Sequence, residues 1–318
     1  MIRIANVNTH RLHRGALPTP RGQSLVTAIR ELNADILTVQ EVLVDDVADS
    51  TGWDRAAAGI LLDLAAECGL SVALPHGGTA GVAMATNVHR PWYTAILWNP
   101  ATVAPVKRSF RAYGAPDFWH GLTTLQFDIG GVEPFLVASY HGDPIRPDGR
   151  FGEALRLKSV FRRTGGPRPG IAAGDYNAVS AARIPDSGGA RRFYDAEPYT
   201  GQVHDDLEYQ CLPETVGATN MADRRQTEAL LRNDYLVDSA AYLNAPWRPT
   251  VGHWADGQGD PDPWGERRID LVLATRPVAP ALVRYRVHVT KASEEAADHR
   301  PVYVDIDPSK ASSKETSR

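Results

Sequence analysis

Gly170-Ile171-Ala172-Ala173-Gly174-Asp175-Tyr176-Asn177 reads as a short buried strand running directly into a polar turn. Its first residues are small or apolar and too few for a helix, while Gly, Asp and Asn favour turns. A strand that ends on a carboxylate and an amide delivers them to the rim of a sheet, where catalytic groups are commonly collected. The same pattern recurs downstream. Arg268-Ile269-Asp270-Leu271-Val272-Leu273 sets one acid inside an apolar run, and Asp298-His299-Arg300-Pro301 precedes the last strand-like run, Val302–Ile306. Asp270, flanked by Ile, Leu and Val, is expected to be buried, and a buried carboxylate needs a partner. His299 is the candidate.

Working outward, Asn6 and Asn8 lie two apart on a strand and so share a face. Glu41 closes the run Val39-Gln40-Glu41-Val42, and His141 closes Ser139-Tyr140-His141. Taken singly, each has a plain reading as a strand end, a turn or a solvated residue. Taken together they make a set rich in hard oxygen donors without thiolates, which suits Mg²⁺ or Mn²⁺ rather than zinc. A hard ion beside a spare carboxylate and a histidine fits hydrolysis of a phosphate ester by activated water. In that reading Glu41 and Asp298 hold the metal, with Asn8 a further ligand. Asp175 is the general base, and Asn6 and Asn177 orient it and donate to the developing charge. Asp270 pairs with His299 to keep it an imidazolium that binds phosphate, and His141 is a second phosphate donor.

The bulk properties agree with an enzyme of ordinary kind. With 318 residues, 43% hydrophobic and 23% charged, one large domain over residues 1–307 is expected, followed by a polar, disordered tail at 308–318. The net charge of -4 argues against a surface that is basic throughout, although the Arg-rich stretches 146–168 and 224–232 leave room for a local patch. Cys68 and Cys211 are far apart and outside any CxxC context, which disfavours zinc or a disulfide framework. No secretory signal and no apolar run of membrane-spanning length is visible, so the expectation is a cytoplasmic protein, a monomer without membrane partners. Helices are expected at Ser24–Leu32, Asp54–Cys68, Phe151–Arg163 and from Arg225 through Tyr242. Beyond those named, strands are expected at Ile2–Asn8, Gly81–Thr86, Tyr93–Trp98, Thr123–Ile129, Pro134–Tyr140, Ile269–Ala274 and Ala281–Val289. Gly130-Gly131 marks a hairpin. The stretch Val179–Ala222 lacks periodicity and reads as a long loop at the cleft, and His253–Trp264 as another loop.

The ordered set Asn6-Val7-Asn8, Gln40-Glu41, Tyr140-His141, Gly174-Asp175-Tyr176-Asn177, Arg268-Ile269-Asp270 and Asp298-His299-Arg300-Pro301 resembles the endonuclease/exonuclease/phosphatase superfamily. This is the family of DNase I, the major apurinic endonucleases and the inositol-polyphosphate 5-phosphatases. The resemblance spans residues 2 to 306. It implies a four-layer α/β/β/α sandwich, with two mixed, mostly antiparallel sheets packed face to face and helices outside. It also carries over the metal role of Glu41 and Asp298, the base role of Asp175 and the Asp270–His299 pair.

Three departures stand out. No acid appears near Tyr93–Trp98 to support His141, Asp143 follows His141 closely, and the segment 179–222 is long. The leading expectation is a Mg²⁺-dependent phosphodiesterase, with a nuclease placed first. A small-molecule phosphodiesterase or phosphomonoesterase, acting on a nucleotide, an inositol phosphate or a specialised metabolite, comes second. A catalytically silent binding module of the same fold and a membrane-active sphingomyelinase-like protein rank below these. The partner implied is a phosphate ester, with nucleic acid among the options.

Overall fold

The run Ile2–Leu12 forms the central strand of the first of two sheets. The computed structural model describes residues 1–47, 49–74, 76–85, 91–131, 133–254 and 262–311. In it this strand pairs in parallel with Ile36–Leu43 and antiparallel with Val302–Ile306. Trp92–Trp98 and Leu282–Val287 are the edges of this five-stranded sheet. The second sheet, of seven strands, is also built around a parallel pair, Phe135–His141 beside Gly170–Asp175. Asp270–Thr275 and Leu122–Asp128 flank that pair antiparallel, and Leu236–Asp238, Ala104–Pro105 and Arg111–Tyr113 lie outside them.

Alternation along the strands sorts the core into layers. Val137, Ile171, Ala173, Val272 and Ala274 pack with residues of the first sheet. Their neighbours Leu136, Ala138, Ala172, Leu271 and Leu273 pack instead under Leu157 and Leu230, from the helices Pro147–Val160 and Arg225–Leu231. Leu25 and Ile29 of helix Pro20–Leu32, and Leu61 and Leu64 of helix Trp53–Cys68, cover the outside of the first sheet. The result is the helix, sheet, sheet, helix sandwich. The same period of two puts Ser139, His141, Asp175 and Asp270 on the inner face, where Gln40 Nε2 donates to Ser139 Oγ at 3.0 Å across the sheets.

Gly174 shows why the strand has its particular sequence. A Cβ there would sit 1.8 Å from the carbonyl oxygen of Tyr140, so the parallel pair closes only around glycine.

Helix boundaries differ from the periodicity where caps decide them. The first helix begins at Pro20, because the Thr19 hydroxyl caps the amide of Gly22 and Pro20 fills the first turn. Pro147 likewise starts the third helix before Phe151, and that helix stops at Val160 so that Arg162–Arg163 can pair with Gly166–Pro167. The helix expected to run from Arg225 to Tyr242 is broken: Asn233 takes a φ of 59°, Leu236–Asp238 joins the second sheet as an edge strand, and only Ser239–Tyr242 is helical beyond it. At 81–86 there are isolated bridges at Val82 and Met84 rather than a strand, and Thr86 lies outside the described residues. The helix Lys291–Ala296 and its capping box at Thr290 and Ser293 were not anticipated.

Segment 179–222 contains a small hairpin, Arg183–Pro185 with Arg191–Phe193, and 3₁₀ turns at Asp205–Tyr209 and Pro213–Thr215. Val179, Tyr199, Leu207 and Cys211 form a cluster of their own with Val251 and Ile269. Pro308–Lys310 is a 3₁₀ turn, while residues 312–318 and most of the 253–264 loop lie outside the described residues. Both cysteines are free, and among the described residues no helix is long and apolar enough to cross a membrane.

Candidate active site

The two parallel pairs end at the same edge of the sandwich, so Asn8 and Glu41 from one sheet meet His141 and Asp175 from the other. Register aligns Asp175 with both His141 and Asp270, its neighbours on either side. Asp175 Oδ1 accepts the backbone amide of Asn177 at 2.8 Å, closing a turn in which Asn177 takes a φ of 48°. Its Oδ2 accepts the amide of Asn8 at 3.1 Å and faces His141 Nε2 at 3.5 Å and His299 Nε2 at 3.8 Å. Burial holds this carboxyl above the ordinary range, against the pull of His299 and His141.

Asn8 also donates to Glu41 Oε1 at 3.1 Å, while its own oxygen accepts the amide of His10 at 3.1 Å. The NH₂ group therefore points at the two acids, and Asn8 holds carboxylates in place. Asn6 is engaged elsewhere, donating to Asp270 at 3.3 Å and accepting from Thr38 at 2.8 Å. The Asn177 side chain donates to the carbonyl of Gly142 at 3.0 Å. The amide side chain on the base is thus that of Asn8.

Glu41 occupies a left-handed conformation, φ 60°, where the chain is irregular opposite His10 and Arg11, which have φ values of 47° and 58°. Such bulges re-aim side chains at functional edges. Glu41 Oε2 accepts the amide of Arg11 at 3.1 Å. His10 Nδ1 lies 2.8 Å from Asp298 Oδ1. Burial opposes ionisation of Asp298, yet His299 and His10 outweigh it and bring its pKa down to about 2.

Asp270 Oδ2 lies 2.8 Å from His299 Nδ1. Burial alone would depress His299, but Asp270, Asp175 and Asp298 hold it well above the ordinary imidazole range. His141 behaves oppositely. Burial, reinforced by the His299 charge and only partly offset by Asp175, pushes it down to about 4. Its Nδ1 has no partner among the described residues, and its ring stacks on His120 with centroids 3.9 Å apart and planes 13° apart. An unpartnered Nδ1 is tolerable as a lone pair, and Nε2 is the nitrogen that faces the centre, 3.5 Å from Asp175 Oδ2. Asp143 does not reach the centre: it accepts from the amides of Ile145 and Arg146 and from the Arg146 guanidinium.

Ligand atoms of Glu41, Asp175 and His299 lie within 4.8 Å of one another. A ring nitrogen that carries a proton does not ligate, so the oxygen donors are the part of this group that fits a hard divalent ion. Beside the centre opens a cleft of about 780 Å³, lined by Asn177, Asp298 and His299 and by Asp206, Tyr209 and Gln210 from segment 179–222. His10, His120, Tyr209 and Trp254 were not singled out from sequence. For His10 the signal was present, because it continues the Asn6, Asn8 spacing of two.

A sequence model described as the endonuclease/exonuclease/phosphatase family matches residues 5–294. Among solved structures, an endonuclease/exonuclease/phosphatase from Bacteroides vulgatus shares 15% identity over 96% of this chain and 98% of its own, with a TM-score of 0.58. An AP endonuclease from Archaeoglobus fulgidus shares 18% over 96% and 100%, with a TM-score of 0.52. A mannosyl-6-phosphatase from Bacteroides thetaiotaomicron shares 16% over 96% and 100%, with a TM-score of 0.53. At these identities the likeness is one of fold. No curated protein matches the chain.

Proposed function

The chain belongs to the endonuclease/exonuclease/phosphatase family, and from that premise we propose that it is a divalent-metal-dependent hydrolase in which Asp175 activates water against a phosphate ester. The observation that carries this reading is the meeting of Asp175 with Glu41, Asn8, His141 and His299, contributed by both sheets.

Glu41 and Asp298 are proposed to hold the ion, Mg²⁺ or Mn²⁺, with Asn8 fixing Glu41 and Asp175 instead of supplying a ligand oxygen. When bound, the ion neutralises phosphoryl oxygens and polarises phosphorus. Asp175 Oδ2 takes the proton of the attacking water as its oxygen bonds to phosphorus. The ester P–O bond breaks, and the alcohol leaves after taking a proton from solvent. His299, kept cationic by Asp270, and the Nε2–H of His141 donate to the phosphoryl oxygens as charge builds. A nucleic-acid strand and a small phosphate ester are both served by such a centre.

Asp175→Asn keeps the shape and removes the base. Turnover is expected to fall about 10²- to 10⁴-fold, with the unfolding midpoint nearly unchanged. The assay uses plasmid DNA, RNA oligomers, a bis-aryl phosphodiester and a panel of phosphomonoesters, each with Mg²⁺ and with EDTA. Full activity in the variant, or in EDTA, would sink the mechanism.

A further inference from the structure

The cleft shares Asn177, Asp298 and His299 with the proposed catalytic centre, so in the proposed hydrolysis it is placed to receive the group that the reacting phosphate carries. Its volume of about 780 Å³ is that of a small-molecule site. The charge on its wall is of the wrong sign for a polyanion. Away from the reacting centre, to which Asp298 and the His299 cation belong, Asp206 and Asp262 line it, against one arginine, Arg267. That arginine is already taken: it bonds Asp262 at 2.9 Å and lies over the Trp264 ring at 5.4 Å. Next in sequence to the lining residues Ile145 and His299, Arg146 is paired with Asp143, and Arg300 with Glu294 at 2.6 Å.

A nucleic-acid strand carries one charge per ~3.4 Å and derives its sequence-independent affinity from lysine and arginine on its phosphates. Past the reacting phosphate, this wall offers such a strand carboxylates and neutralised cations. What the wall does offer is rings, Tyr209, Trp254 and Trp264, together with the exposed carboxylate of Asp206. Rings pack on the C–H faces or planes of a cyclic group, and a carboxylate accepts from its hydroxyls. Resting on the proposed hydrolysis, we infer that the leaving alcohol is a small, uncharged, hydroxylated ring compound esterified to one phosphate, and that a polynucleotide is not the substrate.

The test compares kcat/KM of the Mg²⁺-loaded full chain for a neutral sugar monophosphate, a nucleoside monophosphate and a labelled oligonucleotide, at about 50 and about 200 mM salt. The two small esters separate the sources of the hydroxylated ring. The expected result is that one of them is preferred over the oligonucleotide by about 100-fold or more, with rates nearly independent of salt. Trp254→Ala should then raise KM for the preferred ester roughly tenfold while changing kcat little. Preference for the oligonucleotide, with a steep loss of activity as salt rises, overturns the inference and leaves the hydrolytic reading intact. Hydrolysis of no phosphate ester with either Mg²⁺ or Mn²⁺ overturns the hydrolytic reading and this inference with it.

Discussion

Glu153 is a titratable side chain buried away from the reacting groups, and it sits under the strand that carries His141. Its carboxyl accepts from the Tyr140 hydroxyl, and from the amides of Trp119 at 2.6 Å and Asp143 at 3.1 Å. Burial outweighs these donors and pushes its pKa up to about 7. The folded state therefore keeps a proton that the unfolded chain releases near its ordinary carboxylate value of about 4.3. Its contribution to stability is full below that value and is lost as pH rises through about 7. Urea unfolding between these limits should show a component approaching 1.4 kcal/mol per pH unit, on the order of one proton. Glu153→Gln should flatten it, and an unchanged slope in the variant would mean that another group carries it. At this scale the individual carboxylates, amides and imidazoles were legible in sequence, because polar residues at the ends of apolar strands stand out. That Asn8, and not Asn6, is the amide on Asp175 was not. Both share a face, and which of them reaches Asp175 depends on strand twist and on the irregularity at His10 and Arg11.

Among the elements, those with regular periodicity were readable and those fixed by distant partners were not. Helix Trp53–Cys68 ends where its periodicity placed the end, and Gly69, φ 68°, caps it. The strand Leu236–Asp238 was hidden because three residues carry no periodicity; it exists through pairing with Asp270–Thr275. Segment 179–222 looked irregular because its order comes from long-range anchors. Arg268, fully buried, bonds Asp195 at 2.8 Å and Asp238 at 2.6 Å, and Trp247 adds a bond to Asp195 at 2.9 Å. Removing one member of a buried ion group leaves uncompensated charge, which costs about 3–5 kcal/mol. Asp195→Ala should therefore lower stability by about that amount and open the segment to limited proteolysis before global unfolding. Cleavage no faster than in the wild type would show that the hydrophobic cluster around Tyr199 and Leu207 holds the segment without the ion group.

In the whole molecule, the proposed ion site ties together segments distant in the chain, because Glu41 comes from the strand Ile36–Leu43 and Asp298 from the bend before Val302–Ile306. An ion bound only by the folded state should stabilise it, by about 2.7 kcal/mol at a hundredfold excess over its Kd. Thermal unfolding with Mg²⁺ or Mn²⁺, against EDTA, measures this without any substrate. Glu41→Gln should abolish the increment, and an increment that survives the substitution would place the ion elsewhere. The layered architecture was legible from the order of strand-like runs together with the family resemblance, since each sheet is built from segments scattered along the chain. One consequence follows from Arg268, which lies two residues before Asp270 and clamps segment 179–222. The wall proposed to select the substrate and the acid that supports His299 descend from the same stretch of backbone, so the wall is not a detachable module. Grafting segment 179–222 onto another scaffold of this fold would require moving Arg268 and Asp238 with it, and new substrate ranges should arise more readily by changing side chains within the wall than by exchanging the wall itself.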